Sequence, residues 1–144
     1  METGLLLPDL EDPDGAPFWE GTALGELRVQ SCANCGAWRM PPRPMCPVCR
    51  SLEAVWVATS GRGTIWSFIV PHPPLLPAYA ELAPYNAIVV ALAEHPEIRF
   101  VGNVVATPDG AINEIDPATI QIGEPVRVVF QAVGDVTLPR WMRA

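Results

Sequence analysis

The rhythm of apolar and polar positions changes near Ser60. Beyond it the chain reads as short strands with period-two alternation, separated by turn residues. Thr64 to Val70 sets Thr64, Trp66, Phe68 and Val70 against Ile65, Ser67 and Ile69. Asn86 to Ala93 is apolar at successive positions, the mark of a strand covered on both faces. Ile98, Phe100, Gly102 and Val104 alternate with Arg99, Val101, Asn103 and Val105. Val126 to Val133 and Val136 to Met142 complete a set of five. Ser60-Gly-Arg-Gly63 reads as a turn, His95-Pro96 as a hairpin connection and Gly134-Asp135 as a two-residue hairpin turn. Asp116-Pro-Ala-Thr-Ile predicts one helical turn, with Asp as cap and Pro at the first position. Five strands with a single helical turn between the third and the fourth is the plan of an OB-fold barrel.

Before Ser60 the pattern is looser. Residues 1–16 are acidic and rich in turn formers, and read as an arm. In Pro17 to Leu27, Phe18, Leu24 and Leu27 fall near helical spacing. A short helix interrupted by glycines is expected there, anchored by Phe18, Trp19 and Leu24. Leu27 to Ser31, Ala37 to Met40 and Leu52 to Thr59 read as strands. The expected organisation is an acidic arm and short helix over 1–26, a metal ribbon over 27–54 and a barrel over 55–144. One segment, Pro71 to Pro84, fits neither strand nor ordinary loop. It holds five prolines and one formal charge, with Leu75, Leu76, Tyr79 and Leu82 as apolar residues. Either it folds back on the barrel or it covers a ligand or partner. The tail Leu138 to Met142 poses the same question.

All four cysteines lie in Cys32-Ala-Asn-Cys35 and Cys46-Pro-Val-Cys49, two Cys-x2-Cys knuckles with ten residues between them. Each knuckle aims two sulfurs from one turn, and two facing knuckles surround one point. That arrangement suits a tetrahedral ion, of which zinc is the expected one. Pro41, Pro42 and Pro44 sit where the intervening hairpin would turn. Disulfides are the alternative, but cysteines three apart in a knuckle bridge poorly. A closed four-thiolate site leaves no position open for substrate, so it describes folding rather than activity.

Composition narrows the functional classes. Of 144 residues, 28 are Gly or Pro, which favours short strands and turns over long helices. No apolar run approaches the length of a membrane span. The first residues carry neither a basic cluster nor a long apolar run, so no signal peptide is expected. A thiolate metal site fits a reducing cytoplasm. The net charge is −7, but residues 1–26 hold seven carboxylates and no basic residue, and the remainder nine acids and nine arginines. A nucleic-acid-binding ribbon–OB module, the alternative function for such an architecture, would show a basic face. Here Arg39, Arg43 and Arg50 oppose Glu53 and the metal site's own negative charge, so no nucleic acid is expected as partner. Electron transfer through iron is a third use of such knuckles.

No catalytic set stands out. The chain has no lysine, which excludes Schiff-base chemistry on it. Its two histidines, His72 and His95, are too few for a histidine-based catalytic zinc. His72, flanked by prolines, is either an acid–base group or an exposed loop histidine. Asn103 is either hydrogen-bonded at a bulge or faces a ligand. Arg43, Arg62, Arg99 and Arg127 are candidate phosphate contacts or solvated side chains.

The order of motifs adds to this. Phe18-Trp-Glu-Gly and Gly25-Glu-Leu are followed by Cys-x2-Cys-Gly, Pro41-Pro-Arg43 and Cys46-Pro-x-Cys49. Then come Ser60-Gly-x-Gly-Thr-Ile-Trp-Ser-Phe68, Pro84-Tyr85, Gly102-Asn-Val and Ile122-Gly-Glu-Pro-Val-Arg-Val-Val-Phe130. Over about residues 17–141 the chain resembles the acyl-CoA-associated OB-fold family with an N-terminal rubredoxin-like zinc ribbon. Cys32, Cys35, Cys46 and Cys49 match that family's metal ligands. The resemblance implies a CoA-thioester pathway and an enzyme partner. That partner would be a thiolase-like enzyme of lipid-transfer type, or a hotdog-fold enoyl-CoA hydratase. One branch supports an acyl-CoA retro-aldolase of steroid side-chain degradation. The implied role is a subunit that docks on such a lyase and helps form its acyl-CoA channel without making bonds itself. Arg43, Trp66, Phe68 and His72 are the expected CoA contacts.

Overall fold

A computed structural model describes residues 4–144. Glu2, the first carboxylate of the acidic arm, lies outside them. The elements in chain order are α1 (Ala16–Ala23), β1 (Arg28–Cys32), β2 (Trp38–Arg39), β3 (Ala54–Ala58), β4 (Arg62–Ile69), α2 (Pro77–Ala80), β5 (Ala87–Leu92), β6 (Arg99–Gly102), a 3-10 turn (Pro117–Thr119), β7 (Pro125–Val133) and β8 (Val136–Arg143).

Two antiparallel sheets result. The first, in order β2-β1-β3, is the ribbon. Its strand β3 pairs with β1 from Arg28↔Ala58 to Cys32↔Ala54. The second has five strands in order β6-β5-β4-β7-β8. A parallel bridge between Val104 and Trp141 joins its two ends and closes the barrel. The Val105 amide donates to the Trp141 carbonyl at 2.8 Å, and the Trp141 amide to the Asn103 carbonyl at 3.0 Å. The 3-10 turn falls between the third and fourth barrel strands, as expected, and the Asp116 carboxylate accepts from the Ala118 amide at 3.0 Å. The Gly134-Asp135 turn links β7 to β8 at the register Val133↔Val136, with Gly134 at φ 61°.

Two expectations are corrected. The helix stops at Ala23, and Leu24 is 71% exposed rather than an anchor. Gly25, at φ +77°, turns the chain there, so Leu27 is buried from beyond the helix. Phe18 is buried and Trp19 packs on the core, which leaves these two as the anchors. The second correction concerns β4. Its register steps from Ile65↔Val90 to Ser67↔Val89, so Trp66 is the extra residue of a bulge. The bulge breaks the alternation: Ile65 is buried, Trp66 is 50% exposed, and Phe68 packs back against the core.

One apolar cluster runs through both sheets. Leu27 and Val29 from the ribbon meet Ile65, Ile88, Val90, Phe100, Val126 and Trp141 from the barrel, with Phe18 against Phe100 at a centroid distance of 6.3 Å. Trp38 stacks on His95 at 4.2 Å, tying β2 to the β5–β6 turn. Part of the proline-rich segment folds back on the barrel: Leu82, with Tyr85 just beyond the segment, packs on Val105, Ile112 and Val129. Leu76 stays exposed.

Candidate metal centre and binding surfaces

The two knuckles are built alike. β1 delivers Cys32, and the Gly36 amide donates to the Cys32 carbonyl at 3.0 Å. The Arg50 amide repeats this to the Cys46 carbonyl at 2.9 Å. The residue after the second cysteine takes positive φ in both, 77° at Gly36 and 67° at Arg50. Inside the turns, the Asn34 and Cys35 amides donate to Cys32 Sγ at 3.4 Å, and the Val48 amide to Cys46 Sγ at 3.4 Å.

The four sulfurs lie within 4.8 Å of one another. Cys32 and Cys49 are 3.5 Å apart, Cys35 and Cys46 3.7 Å. Four thiolates at Zn–S bonds of ~2.3 Å stand roughly 3.8 Å apart in a tetrahedron, so the donor set fits zinc. All four cysteines are free of disulfides. The amide of Cys35, helped by that of Asn34, holds the Cys32 thiol down to about 6. The Cys49 amide lowers Cys46 as well. The Ala37 amide pulls Cys35 down, but desolvation and the three neighbouring sulfurs outweigh it and push it up to about 11. A divalent ion removes that conflict, because a coordinated thiol is deprotonated outright.

The hairpin between the knuckles hangs on the backbone of Arg43. Its amide donates to Gln30 Oε1 at 2.7 Å, and its carbonyl accepts from the buried Arg39 guanidinium at 3.0 and 3.3 Å. The Arg43 side chain is exposed. Of the other expected CoA contacts, Phe68 and His72 line one shallow groove with Val70, Pro84 and Pro117. Trp66 lies on the barrel's outer surface, where the Arg99 guanidinium sits 3.6 Å from its ring centre. Val101, 79% exposed, and Ile69, 64% exposed, extend the apolar character of that surface.

Two polar residues that carry much of the barrel were not singled out from sequence. Asn86 is wholly buried; its side chain accepts from the Val104 amide at 2.6 Å and donates to the Val104 carbonyl at 2.9 Å. Its place at the head of an apolar run was the available signal. Arg140 is half-buried between Asn103 and Gln131. Asn103 is thereby resolved as hydrogen-bonded: it donates to the Asn86 carbonyl at 2.6 Å and accepts from Arg140 at 2.7 Å. His95 Nδ1 pairs with Glu97 at 2.7 Å in the open, and among the described residues no serine or cysteine bonds to a histidine. No helix among the described residues is long and apolar enough to cross a membrane.

A four-cysteine ribbon sharing its core with an OB barrel defines a zinc-ribbon/OB-fold protein. The chain belongs to the ChsH2 family: the model for the ChsH2 C-terminal OB-fold domain matches residues 56–131, and that for the ChsH2 rubredoxin-like zinc ribbon domain residues 19–53. It is 35% identical over 146 residues to the 3-oxo-4,17-pregnadiene-20-carboxyl-CoA hydratase alpha subunit of Mycobacterium tuberculosis (strain ATCC 25618 / H37Rv), covering 94% of this chain and 42% of that subunit. It thus spans about two fifths of that relative's length. A DUF35 domain-containing scaffold protein of Methanothermobacter thermautotrophicus is 32% identical over 110 residues, which is 74% of this chain and 73% of that protein. Among solved structures, a chain described as "Ltp2-ChsH2(DUF35) aldolase" superimposes with a TM-score of 0.78 at 34% identity, over 94% of this chain and 98% of that one.

Proposed function

We propose that this chain is an accessory subunit that docks on a thiolase-like acyl-CoA enzyme and completes its acyl-CoA channel. The observation that carries the reading is the likeness, over 94% of this chain and 98% of the other, to a chain solved as part of an aldolase. Two features of the molecule support it. Among the described residues there is no group arranged to break a carbon–carbon bond. The barrel also exposes Trp66, Ile69 and Val101 on its outer surface, an apolar face of the sort that a partner covers. In a retro-aldol cleavage a 3-hydroxyacyl-CoA splits into a carbonyl product and a shorter acyl-CoA, and the base and enolate stabiliser belong to the partner. The hydratase relative makes a hotdog-fold enoyl-CoA hydratase the second candidate partner, in the same thioester chemistry. The ribbon serves as a zinc-fixed docking element, with Cys32, Cys35, Cys46 and Cys49 as ligands, in a reducing cytoplasm. Arg43, Trp66, Phe68 and His72 remain the proposed acyl-CoA contacts.

Co-expression with thiolase-like proteins encoded nearby tests this. A stable complex is expected on size exclusion, with aldol-cleavage activity only in the complex. A chain that stays alone with every such candidate refutes the reading. Trp66→Glu is expected to weaken the complex at least tenfold while leaving the isolated chain's melting temperature unchanged.

A further inference from the structure

A second site lies where the arm crosses the barrel. Leu6, Leu7, Trp19, Val101, Leu138 and Arg140 contribute to a groove of about 410 Å³, within the size range of small-molecule sites. Its walls are mostly apolar. Its polar end holds one cation, the guanidinium of Arg140, and Tyr79 lines the same groove.

The surroundings of Arg140 are unlike those of a structural ion pair. No carboxylate lies within ion-pair distance of it among the described residues. Burial pushes the guanidinium down from its ordinary value. Its two protein partners are neutral amide oxygens: Gln131 Oε1 accepts from Nε at 3.0 Å, and Asn103 Oδ1 from Nη1 at 2.7 Å. Both amides are themselves fixed. Asn103 Nδ2 donates to the Asn86 carbonyl at 2.6 Å, and Gln131 Nε2 to the Gly110 carbonyl at 2.9 Å. These bonds force each amide oxygen toward the guanidinium and hold the fork in place. Among the described residues Nη2 makes no hydrogen bond. Tyr79 Oη accepts from the Leu6 amide at 3.2 Å, so its own proton is free to be donated. A half-buried charge that is oriented but not neutralised is costly unless an anion completes it.

We propose that this groove binds a monoanionic carboxylate with a short apolar body. The carboxylate accepts from Arg140 Nη2 and the Tyr79 hydroxyl, in charge-assisted hydrogen bonds. The apolar body lies along Leu6, Leu7, Trp19 and Leu138. One cation and one hydroxyl match a single negative charge, and the apolar walls give a bare inorganic ion nothing further. The site requires no partner subunit, so its test is separate from that of complex formation.

The probes are octanoate and inorganic phosphate, titrated into the zinc-loaded chain and followed by amide NMR shifts. Octanoate is expected to bind and to shift the amides of Tyr79, Asn103 and Arg140. Arg140→Gln is expected to weaken it at least tenfold, and Arg140→Lys to recover part of the loss. No octanoate binding, or equal binding by Arg140→Gln, overturns the proposal. Phosphate binding as tightly as octanoate overturns the carboxylate assignment. Should Arg140→Gln not fold, Val101→Trp takes its place. That exposed position on the groove wall leaves Arg140 intact, and the larger ring is expected to abolish octanoate binding; undiminished binding overturns the proposal.

Discussion

At the scale of single residues, barrel closure rests on a buried amide. β6 ends at Gly102, and the chain must reach Trp141 of β8 through a parallel bridge with no adjoining ladder. Asn86 substitutes for that ladder by bonding both the amide and the carbonyl of Val104. Asn86→Leu leaves these two groups buried and unpaired. The expected loss is about 3 kcal/mol, from a penalty of roughly 1–3 kcal/mol per unsatisfied group. Urea unfolding measures it, and a loss under about 0.5 kcal/mol would show that water takes over the amide's role. Gly102 is the steric counterpart. A Cβ there would stand 2.7 Å from the wholly buried Trp141 ring. Gly102→Ala is therefore expected to cost roughly 1–3 kcal/mol by overpacking, read in the same titration. Alternation in the sequence groups Gly102 with Ile98, Phe100 and Val104, which the structure buries. It carried no hint that Arg140, three residues from the end of β8 and opposite in phase to Trp141, would be covered by the arm. Period two tells which side a residue faces, and not what lies there.

At the scale of elements, the turns and cysteines were the legible part. Gly134-Asp135, Asp116-Pro117 and the paired knuckles each encode a local backbone geometry, so local sequence suffices to find them. The helix end and the β4 bulge were not legible. Leu24 has the right spacing, but Gly25 turns the chain before its side chain can reach the core. Trp66 sits in an unbroken alternation, and the bulge is imposed by pairing with β5, which no local pattern records. The proposed contacts Phe68 and His72 fall in one groove, while the bulge sends Trp66 to the outer surface. For the ribbon the element-scale test is its metal. Wild-type chain is expected to carry one zinc by elemental analysis. Cys46→Ser, which changes a buried sulfur, is expected to lose the ion and the protection of the Cys32 and Arg50 amides from hydrogen exchange. Unchanged metal content would remove Cys46 from the ligand set.

At the scale of the whole molecule, the change of rhythm near Ser60 suggests two units, yet the core does not divide there. Leu27 and Val29 of the ribbon and Ile88, Val90 and Trp141 of the barrel belong to one buried cluster. Phe18 of α1 packs on Phe100, and Trp38 stacks on His95. The Thr59 amide and hydroxyl both return to the Leu27 carbonyl, at 2.9 and 2.8 Å. Long-range contacts of this kind leave no trace in local pattern, because each sheet satisfies its own periodicity. They do have a thermodynamic consequence. Metal binding to a ribbon that folds around its ion contributes folding free energy. A shared core passes that contribution to the barrel, since the apolar faces of both sheets are buried only together. Calorimetry of the zinc-loaded chain is therefore expected to show a single transition with equal calorimetric and van't Hoff enthalpies. Removing zinc with a chelator is expected to lower that transition as a whole, including the near-ultraviolet signal of Trp141, which lies far along the chain from any cysteine. Two separated transitions, or a barrel that melts at the same temperature with and without zinc, would show that the ribbon and the barrel are coupled only through the linker at Ser60.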